Sequence, residues 1–347
     1  MDILSFDKLL YHPDKVDRLR RNERQFPVHV TLSLGNYCNH RCLWCTAYEY
    51  QLSKAKHVDY DKLMSFIERA SKRGLKAVGY VGNGEPLAYP KFRELSAAVN
   101  ALGLQQGMFT NGYLLDRYMD EALNHFTYIR FSLDAGSPET HAAMHDVANQ
   151  YERIIDNAAA LIAQRRNKLP TVGIQFATHH LNMHDLPASA KMASEIGVDY
   201  FSVKPVFNRG SVGERIEKNN LTFDELTPMV AEIRRQYESP DFKIYYRPHQ
   251  IMSEAADRNI LNYGRCVAGF FNLNVYEDEK LVYCGPNRIP VGTLDDDLDD
   301  VEDRIMKLST RLDLSKCPAG CRYHALNHLA DTLVDPDQAA PYHPNFL

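Results

Sequence analysis

Three of the chain's seven cysteines crowd into the stretch GNYCNHRCLWC, as Cys38, Cys42 and Cys45. The spacing C-x3-C-x2-C suits donors that converge on one metal centre from a loop, and Gly35 and Asn36 favour a loop at that point. A zinc ion with His40 as fourth donor is one reading. Structural zinc sites, however, usually take their cysteines as two separated short-spaced couples, and this is a single triad. The other reading is an iron–sulfur cube, in which three cysteines leave one iron without a protein ligand. A small molecule can chelate at that open iron, and chemistry can begin there. The remaining cysteines are Cys266, Cys284, Cys317 and Cys321, the last two on a Pro/Gly turn in KCPAGCRYH.

The elements that must hold these residues are legible as an alternation. Candidate strands are VHVTLSL (28–34), KAVGYVG (76–82), QGMFT (106–110), TYIRFSLD (127–134), TVGIQFAT (171–178) and DYFSVKP (199–205). Amphipathic stretches such as DYDKLMSFIERASKRG and YERIIDNAAALIAQRR fall between them, which predicts parallel strands with right-handed crossovers. Within TYIRFSLD one face holds Ile129, Phe131 and Leu133 and the other Arg130, Ser132 and Asp134. VHVTLSL splits in the same way, with His29, Thr31 and Ser33 on the polar face. A flat sheet covered by helices on both sides reads as continuously apolar. One polar face instead suits a curved sheet enclosing a ligand, so an open or complete barrel is expected.

A helical lead-in is expected over 1–26, the barrel over 27–215, and a linker helix with a cysteine-bearing unit over 216–347. In that last part FFNLNV and KLVYC should pair as a hairpin around YEDE, and DDDLDD (295–300) reads as a solvated loop or helix start. The composition, 44% hydrophobic and 24% charged with net charge -5, is that of a soluble globular protein. It gives no broad signal for nucleic acid or an anionic membrane. With no spanning segment and no signal-peptide pattern at the start, a cytoplasmic location is expected. There, bunched cysteines point to metal or clusters before disulfides.

CNHRCLWC resembles the signature of the radical S-adenosylmethionine (SAM) superfamily. GNGEP (82–86) resembles that family's loop for the methionine amino group, TNGYLL (110–115) its turn after the third strand, and RFSLDAGSPETHAAMH (130–145) its fourth strand, which reaches the ribose. The resemblance covers roughly 27–205. It implies a partial (β/α)6 TIM-like barrel with a 4Fe–4S cluster on Cys38, Cys42 and Cys45 and SAM on the open iron. It also implies SAM contacts from Gly84, Glu85, Pro86, Asn111 and Ser132, with Asp134 a weaker candidate. Trp44 would lie near adenine or serve as a core aromatic, and Asn111 would bind or only cap its turn. Asn83 stands where the family more often has glycine. A flavodoxin- or ferredoxin-like electron donor is implied as partner.

The second cysteine set is similar to the twitch domain, the shortened relative of the SPASM extension, and implies one auxiliary 4Fe–4S cluster on Cys266, Cys284, Cys317 and Cys321. An all-cysteine zinc site or four buried thiols are the alternatives. Three plus four uses every cysteine and leaves none to donate hydrogen to a substrate radical. A closed auxiliary cluster then suits electron removal, and so a two-electron oxidation.

Only 37 residues precede Cys38, which leaves no room for a folded leader-binding domain in this sequence. On that ground a small polar substrate is expected, a sugar, cyclitol or nucleotide sugar. Peptide or protein modification, a redox-neutral epimerase, and a non-catalytic iron–sulfur or zinc sensor are the alternatives. Arg130, Gln175 and Lys204 are candidates for binding the substrate, and Lys204 or Arg209 for taking a proton from it.

Overall fold

Seven strands lie parallel in chain order, β1 (His29–Ser33), β2 (Ala77–Val81), β3 (Gln105–Thr110), β4 (Tyr128–Ser132), β5 (Thr171–Thr178), β6 (Tyr200–Pro205) and β7 (Lys243–Tyr246). They belong to a computed structural model that describes residues 6–208, 210–246, 263–317 and 321–334. The first six match the expected strands to within two residues. The seventh follows the helix Phe223–Tyr237 and pairs with β6, so the parallel sheet continues past the boundary expected at residue 215.

The crossovers are helices for ordinary reasons. In Tyr60–Lys72 the Asp59 carboxylate accepts the Lys62 N–H at 3.0 Å, and Leu63, Met64, Phe66, Ile67 and Ala70 recur on one face. Burying Leu63, Phe66 and Ile67 contributes about 2 kcal/mol each, far more than the cap. The helix Leu186–Ile196 stops at Gly197, whose φ of +81° lies in the left-handed region. Asp297, inside the acidic run, caps the helix Leu298–Arg311 by accepting the Asp299 N–H. That run is a helix start, as its composition implies.

On the other flank of β1, the strand β8 (Asn272–Val275) pairs with it in parallel. Antiparallel β9 (Lys280–Cys284) and β10 (Ile289–Thr293) follow, giving ten strands in the order β10-β9-β8-β1-β2-β3-β4-β5-β6-β7. The expected hairpin forms, but it is an extension of the barrel sheet through β8.

The two faces behave as the alternation requires. Val30, Leu32, Ile129, Phe131, Val172 and Ile174 are completely buried under the helices. The register sets Arg130 beside Phe109 and Gly173, and Ser132 beside Gln175, itself beside Ser202. These residues share the concave face, and Lys204, paired with Ala177, lies one step further along it. Rings fill that face at its lower end. A Cβ on Gly107 would run into the ring of Tyr128, and one on Gly173 into the ring of Tyr200. Glycine on one strand makes room for an aromatic on the next.

Candidate functional site

The cysteine loop leaves β1 directly, and two other loops grip it. The Glu85 N–H donates to the Tyr37 carbonyl at 2.8 Å, and Gly84 lies so close to Tyr37 that a Cβ would collide with its backbone. Gly84→Ala must therefore force the 82–86 loop off the cysteine loop. The expected result is a loss of about 2 kcal/mol of stability and at least about a tenfold loss in SAM affinity, read by thermal unfolding and SAM titration.

Glu85 is buried and accepts three hydrogen bonds, from Thr110 Oγ1 (2.6 Å), the Asn111 N–H (2.9 Å) and the Leu87 N–H (3.1 Å). Burial pushes its carboxyl up to about 7 against the pull of those donors. Its side chain is thus committed to tying 82–86 to 110–112, which leaves backbone groups of the loop for a ligand. Pro86 begins the buried turn Pro86–Ala88. Asn111 caps its turn, accepting from the Tyr113 N–H at 3.1 Å, while its amide Nδ2 donates to Asn39 at 2.8 Å and points at Cys38 Sγ from 3.9 Å.

The three thiols suit a multinuclear centre. Burial, then the charge of Glu85, pushes Cys38 up to about 12; burial and the two neighbouring sulfurs push Cys42 well above its ordinary value; burial also raises Cys45. Mutually repelling buried thiols become thiolates only around a cationic centre, which deprotonates them outright. A single zinc ion, with Zn–S near 2.3 Å, would draw its sulfurs to about 3.8 Å of one another. Among the described residues the only three donors whose ligand atoms all lie within 4.8 Å are His40, Cys42 and His145. A single ion there would leave Cys38 and Cys45 unused, so the triad fits the wider cage of a cluster.

The expectation of His40 as a zinc ligand meets a different environment. Its Nδ1 lies 3.2 Å from His145 Nδ1 and its Nε2 2.8 Å from Gln150 Oε1. His141 and His145, four residues apart on the helix Pro138–His145, stack at 4.5 Å, and His145 Nδ1 reaches Cys42 Sγ at 3.1 Å. Burial holds His40 and His141 down at about 4, so the cluster packs as neutral rings against the cysteine loop. The H-x3-H spacing in HAAMH was the available signal for it, since residues four apart share a helix face.

Asp134, at φ +56°, accepts the Ala177 N–H at 2.6 Å and lies 3.5 Å from His145 Nε2, while its carbonyl accepts from Asn182 at 2.9 Å. Both carboxylate oxygens face protein partners. Asp134 is therefore a positioning residue for the ends of β4 and β5, where the sequence suggested a ribose contact. Ser132 remains on the concave face, half-buried. Trp44 sits in a small apolar cluster with Met144, Ala177, Val206 and Ile216, its indole stacked on His179 at 6.4 Å. Lys204 is half-buried, with Nζ 6.0 Å from the Phe207 ring. Arg209 lies outside the described residues.

The departure at Asn83 has a structural use. Its amide donates to both oxygens of Glu277 (2.8 Å each), its side-chain oxygen accepts from Arg288 at 2.7 Å, and its N–H donates to Ser33 Oγ at 3.0 Å. Arg288 is sandwiched 3.8 Å from the rings of Tyr50 and Tyr276. The Asn83 carbonyl accepts from Gln51, whose amide also lies 3.5 Å from Cys45 Sγ. A satisfied polar network thus runs from the first cysteine set to the hairpin bearing Cys284, and glycine at 83 could not make it.

The second set also converges. None of the seven cysteines is joined in a disulfide. Burial, followed by the fields of Cys321, Cys266 and Cys284, pushes Cys317 up to about 12, and burial pushes Cys321 up to about 11. Asn327 ties the site down, accepting from the Val267 N–H at 2.8 Å and donating toward Cys266 Sγ at 3.6 Å. Four thiols in one field have the donor chemistry of a closed cluster.

The Radical SAM superfamily model matches residues 32–193. A tungsten-containing aldehyde ferredoxin oxidoreductase cofactor-modifying protein of Pyrococcus furiosus is 24% identical over 213 residues, 59% of this chain and 58% of that protein. PqqA peptide cyclase of Gluconobacter oxydans is 26% identical over 173 residues, 49% of this chain and 47% of that one. The chain thus spans about half the length of the curated relatives it matches. Streptococcus suis SuiB bound to S-adenosylmethionine superposes with a TM-score of 0.65 at 17% identity, over 85% of this chain and 70% of SuiB. SuiB bound to precursor peptide SuiA gives 0.64 at 16%, over 89% and 70%. No described helix is long and apolar enough to cross a membrane. Fold, cysteine triad and family match agree on residues 32–193: that part of the chain matches the Radical SAM superfamily, a family that uses SAM and a 4Fe–4S cluster.

Proposed function

We propose that this chain modifies a peptide or protein substrate by radical chemistry. The observation that carries the reading is the pairing of β8 with β1, which puts the hairpin of Cys284 beside the strand that ends in the triad. On this reading both cysteine sets serve one barrel interior. The relatives point to the substrate class, since one is a peptide cyclase and the SuiB fold is known with a precursor peptide. They lend no support to a sugar or cyclitol substrate.

Cys38, Cys42 and Cys45 would hold the SAM-binding cluster, and Cys266, Cys284, Cys317 and Cys321 the auxiliary one. When bound and reduced, the SAM-binding cluster and SAM supply a 5′-deoxyadenosyl radical able to take hydrogen from an unactivated C–H. The chain's residues bind, aim and manage protons. Glu85 fixes the loops that face SAM, and Ser132, Gln175 and Ser202 line the concave face beside Arg130. On this reading Lys204, on the same face, takes up the proton as the substrate is oxidised, which requires its amine to be neutral at that step. Lys204→Met should lower product formation by about a hundredfold while reductive SAM cleavage persists. Equal loss of both would assign Lys204 to SAM binding instead.

Anaerobic reconstitution should give about eight irons per chain and reductive release of 5′-deoxyadenosine. Stoichiometric zinc without SAM cleavage would refute the enzymatic reading. Substrate class follows from supplying deuterated cell extract as separate peptide-and-protein and small-molecule fractions. Deuterium should enter 5′-deoxyadenosine from the first fraction, and transfer from the second alone would restore the sugar or cyclitol reading.

A further inference from the structure

Hydrogen bonds to the sulfurs of an iron–sulfur cluster help to set its potential, and the triad has one side chain placed to make such a bond. The cysteine loop runs into the short helix Tyr48–Gln51. The Gln51 amide nitrogen lies 2.6 Å from the Asn83 carbonyl and 3.5 Å from Cys45 Sγ. A carbonyl can only accept, so the nitrogen end of the amide must face it, which fixes the orientation of the side chain. One hydrogen of the amide goes to Asn83, and the second is left for the sulfur.

The other two cysteines are served differently. Cys38 takes the backbone N–H of His40 at 3.4 Å, while the Asn111 amide donates to Asn39 and stands off at 3.9 Å. His145 brings Nδ1 to 3.1 Å from Cys42 Sγ, but its Nε2 lies 2.8 Å from the Leu133 carbonyl. That carbonyl fixes the hydrogen of the neutral ring on Nε2 and leaves a lone pair on Nδ1. Among the described residues Gln51 is therefore the side chain that puts an N–H within 3.5 Å of a triad sulfur.

The amide is also held from its far side. Asn83 is fixed through its own side chain by Glu277 and Arg288, and Arg288 lies 3.8 Å over the ring of Tyr50, the neighbour of Gln51. Gln51 is half-buried, so part of the competing water is excluded and a hydrogen bond to a charged sulfur is strengthened.

We propose that Gln51 acts through Cys45 to raise the reduction potential of the cluster on the triad, which makes it a positioning residue for the step that cleaves SAM. Reduction adds one negative charge to the cluster and its sulfurs, so a donated hydrogen stabilises the reduced state more than the oxidised one. The inference rests on the triad holding a 4Fe–4S cluster.

The test is a redox titration of the reconstituted holoprotein without SAM, followed by electron paramagnetic resonance. The triad signal is the one that changes when SAM is then added, and the auxiliary signal is the internal control. Gln51→Met keeps the length of the side chain and removes the donor. At a fixed potential its reduced-to-oxidised ratio at the triad should fall about fivefold, a downward shift of about 40 mV, with the auxiliary potential unmoved. After exchange into deuterium oxide, the reduced triad cluster of the natural chain should show a deuteron coupling that Gln51→Met lacks. If Gln51→Met holds too little iron, Gln51→Asn, whose shorter amide falls away from the sulfur, takes its place with the same expected shift. An unmoved triad potential, with iron and the SAM-responsive signal intact, would overturn the role of Gln51 alone. So would an equal shift of both clusters, the mark of a general disturbance, or the same deuteron couplings in both chains. A triad that binds zinc or no iron would remove the cluster reading, and this inference with it.

Discussion

Changing Cys38, Cys42 and Cys45 together to alanine should cut reductive SAM cleavage to below about one part in a thousand of the unsubstituted level, while about four of eight irons remain bound. The two sets sit on different elements, the first on the loop after β1 and the second on the segment before β8 (Cys266), the end of β9 (Cys284) and the stretch before His324–Val334 (Cys317 and Cys321). Each therefore offers its donors without the other. Iron analysis with absorption and electron paramagnetic resonance spectra checks the outcome. A variant that retains no iron would remove the auxiliary cluster. One that retains all of it would remove the triad.

Glu85→Ala should cost about 3 kcal/mol, because it strands the Thr110 hydroxyl and the Asn111 and Leu87 N–H groups in a buried position. SAM affinity should fall with it, since two of the loops gripping the cysteine loop lose their tie. The proton linkage gives a sharper signature. Glu85 titrates at about 7 in the folded chain against an ordinary 4.5, so the folded state keeps a proton that the unfolded state has lost between those values. The stabilising contribution of that proton is complete below pH 4.5 and drains away as pH rises through 7, by at most about 3 kcal/mol. Glutamine carries no such slope. Denaturant unfolding should therefore show the stability of the natural chain, relative to Glu85→Gln, falling from the acid to the neutral end of that window. His40 and His141, held down at about 4, act in the opposite sense but cancel in the difference. A flat difference would mean that Glu85 is ionised in the fold.

Much of the site could be read from residue types because its chemistry is local. A triad within eight residues on a loop after a strand needs no long-range knowledge to suggest a centre. The polar alternation of β4 announced an interior face because a side-chain period of two is a property of the strand itself. The ligand roles given to Glu85 and Asp134 are where sequence and structure part. Both lie in motifs that resemble SAM-binding segments, yet their carboxylates are engaged by partners on other elements, Thr110 and Asn111 for one and Ala177 for the other. A motif records the residue and not which hydrogen bonds already occupy it.

The domain boundary shows the same limit. Hairpin geometry follows from a short turn between alternating segments, so the pairing of Asn272–Val275 with Lys280–Cys284 was predictable. Its docking on β1 was not, because it joins backbone groups some 240 residues apart, such as His29 and Asn272, and no local pattern records that choice.

By itself, then, the sequence determined the cysteine spacing, the parallel succession of the first six strands and the polar interior, because spacing and periodicity are short-range properties of the chain. Tertiary structure alone decided that Asn83 bridges to Glu277 and Arg288 and that His145 meets Cys42. Each of these depends on which distant surfaces fold against one another.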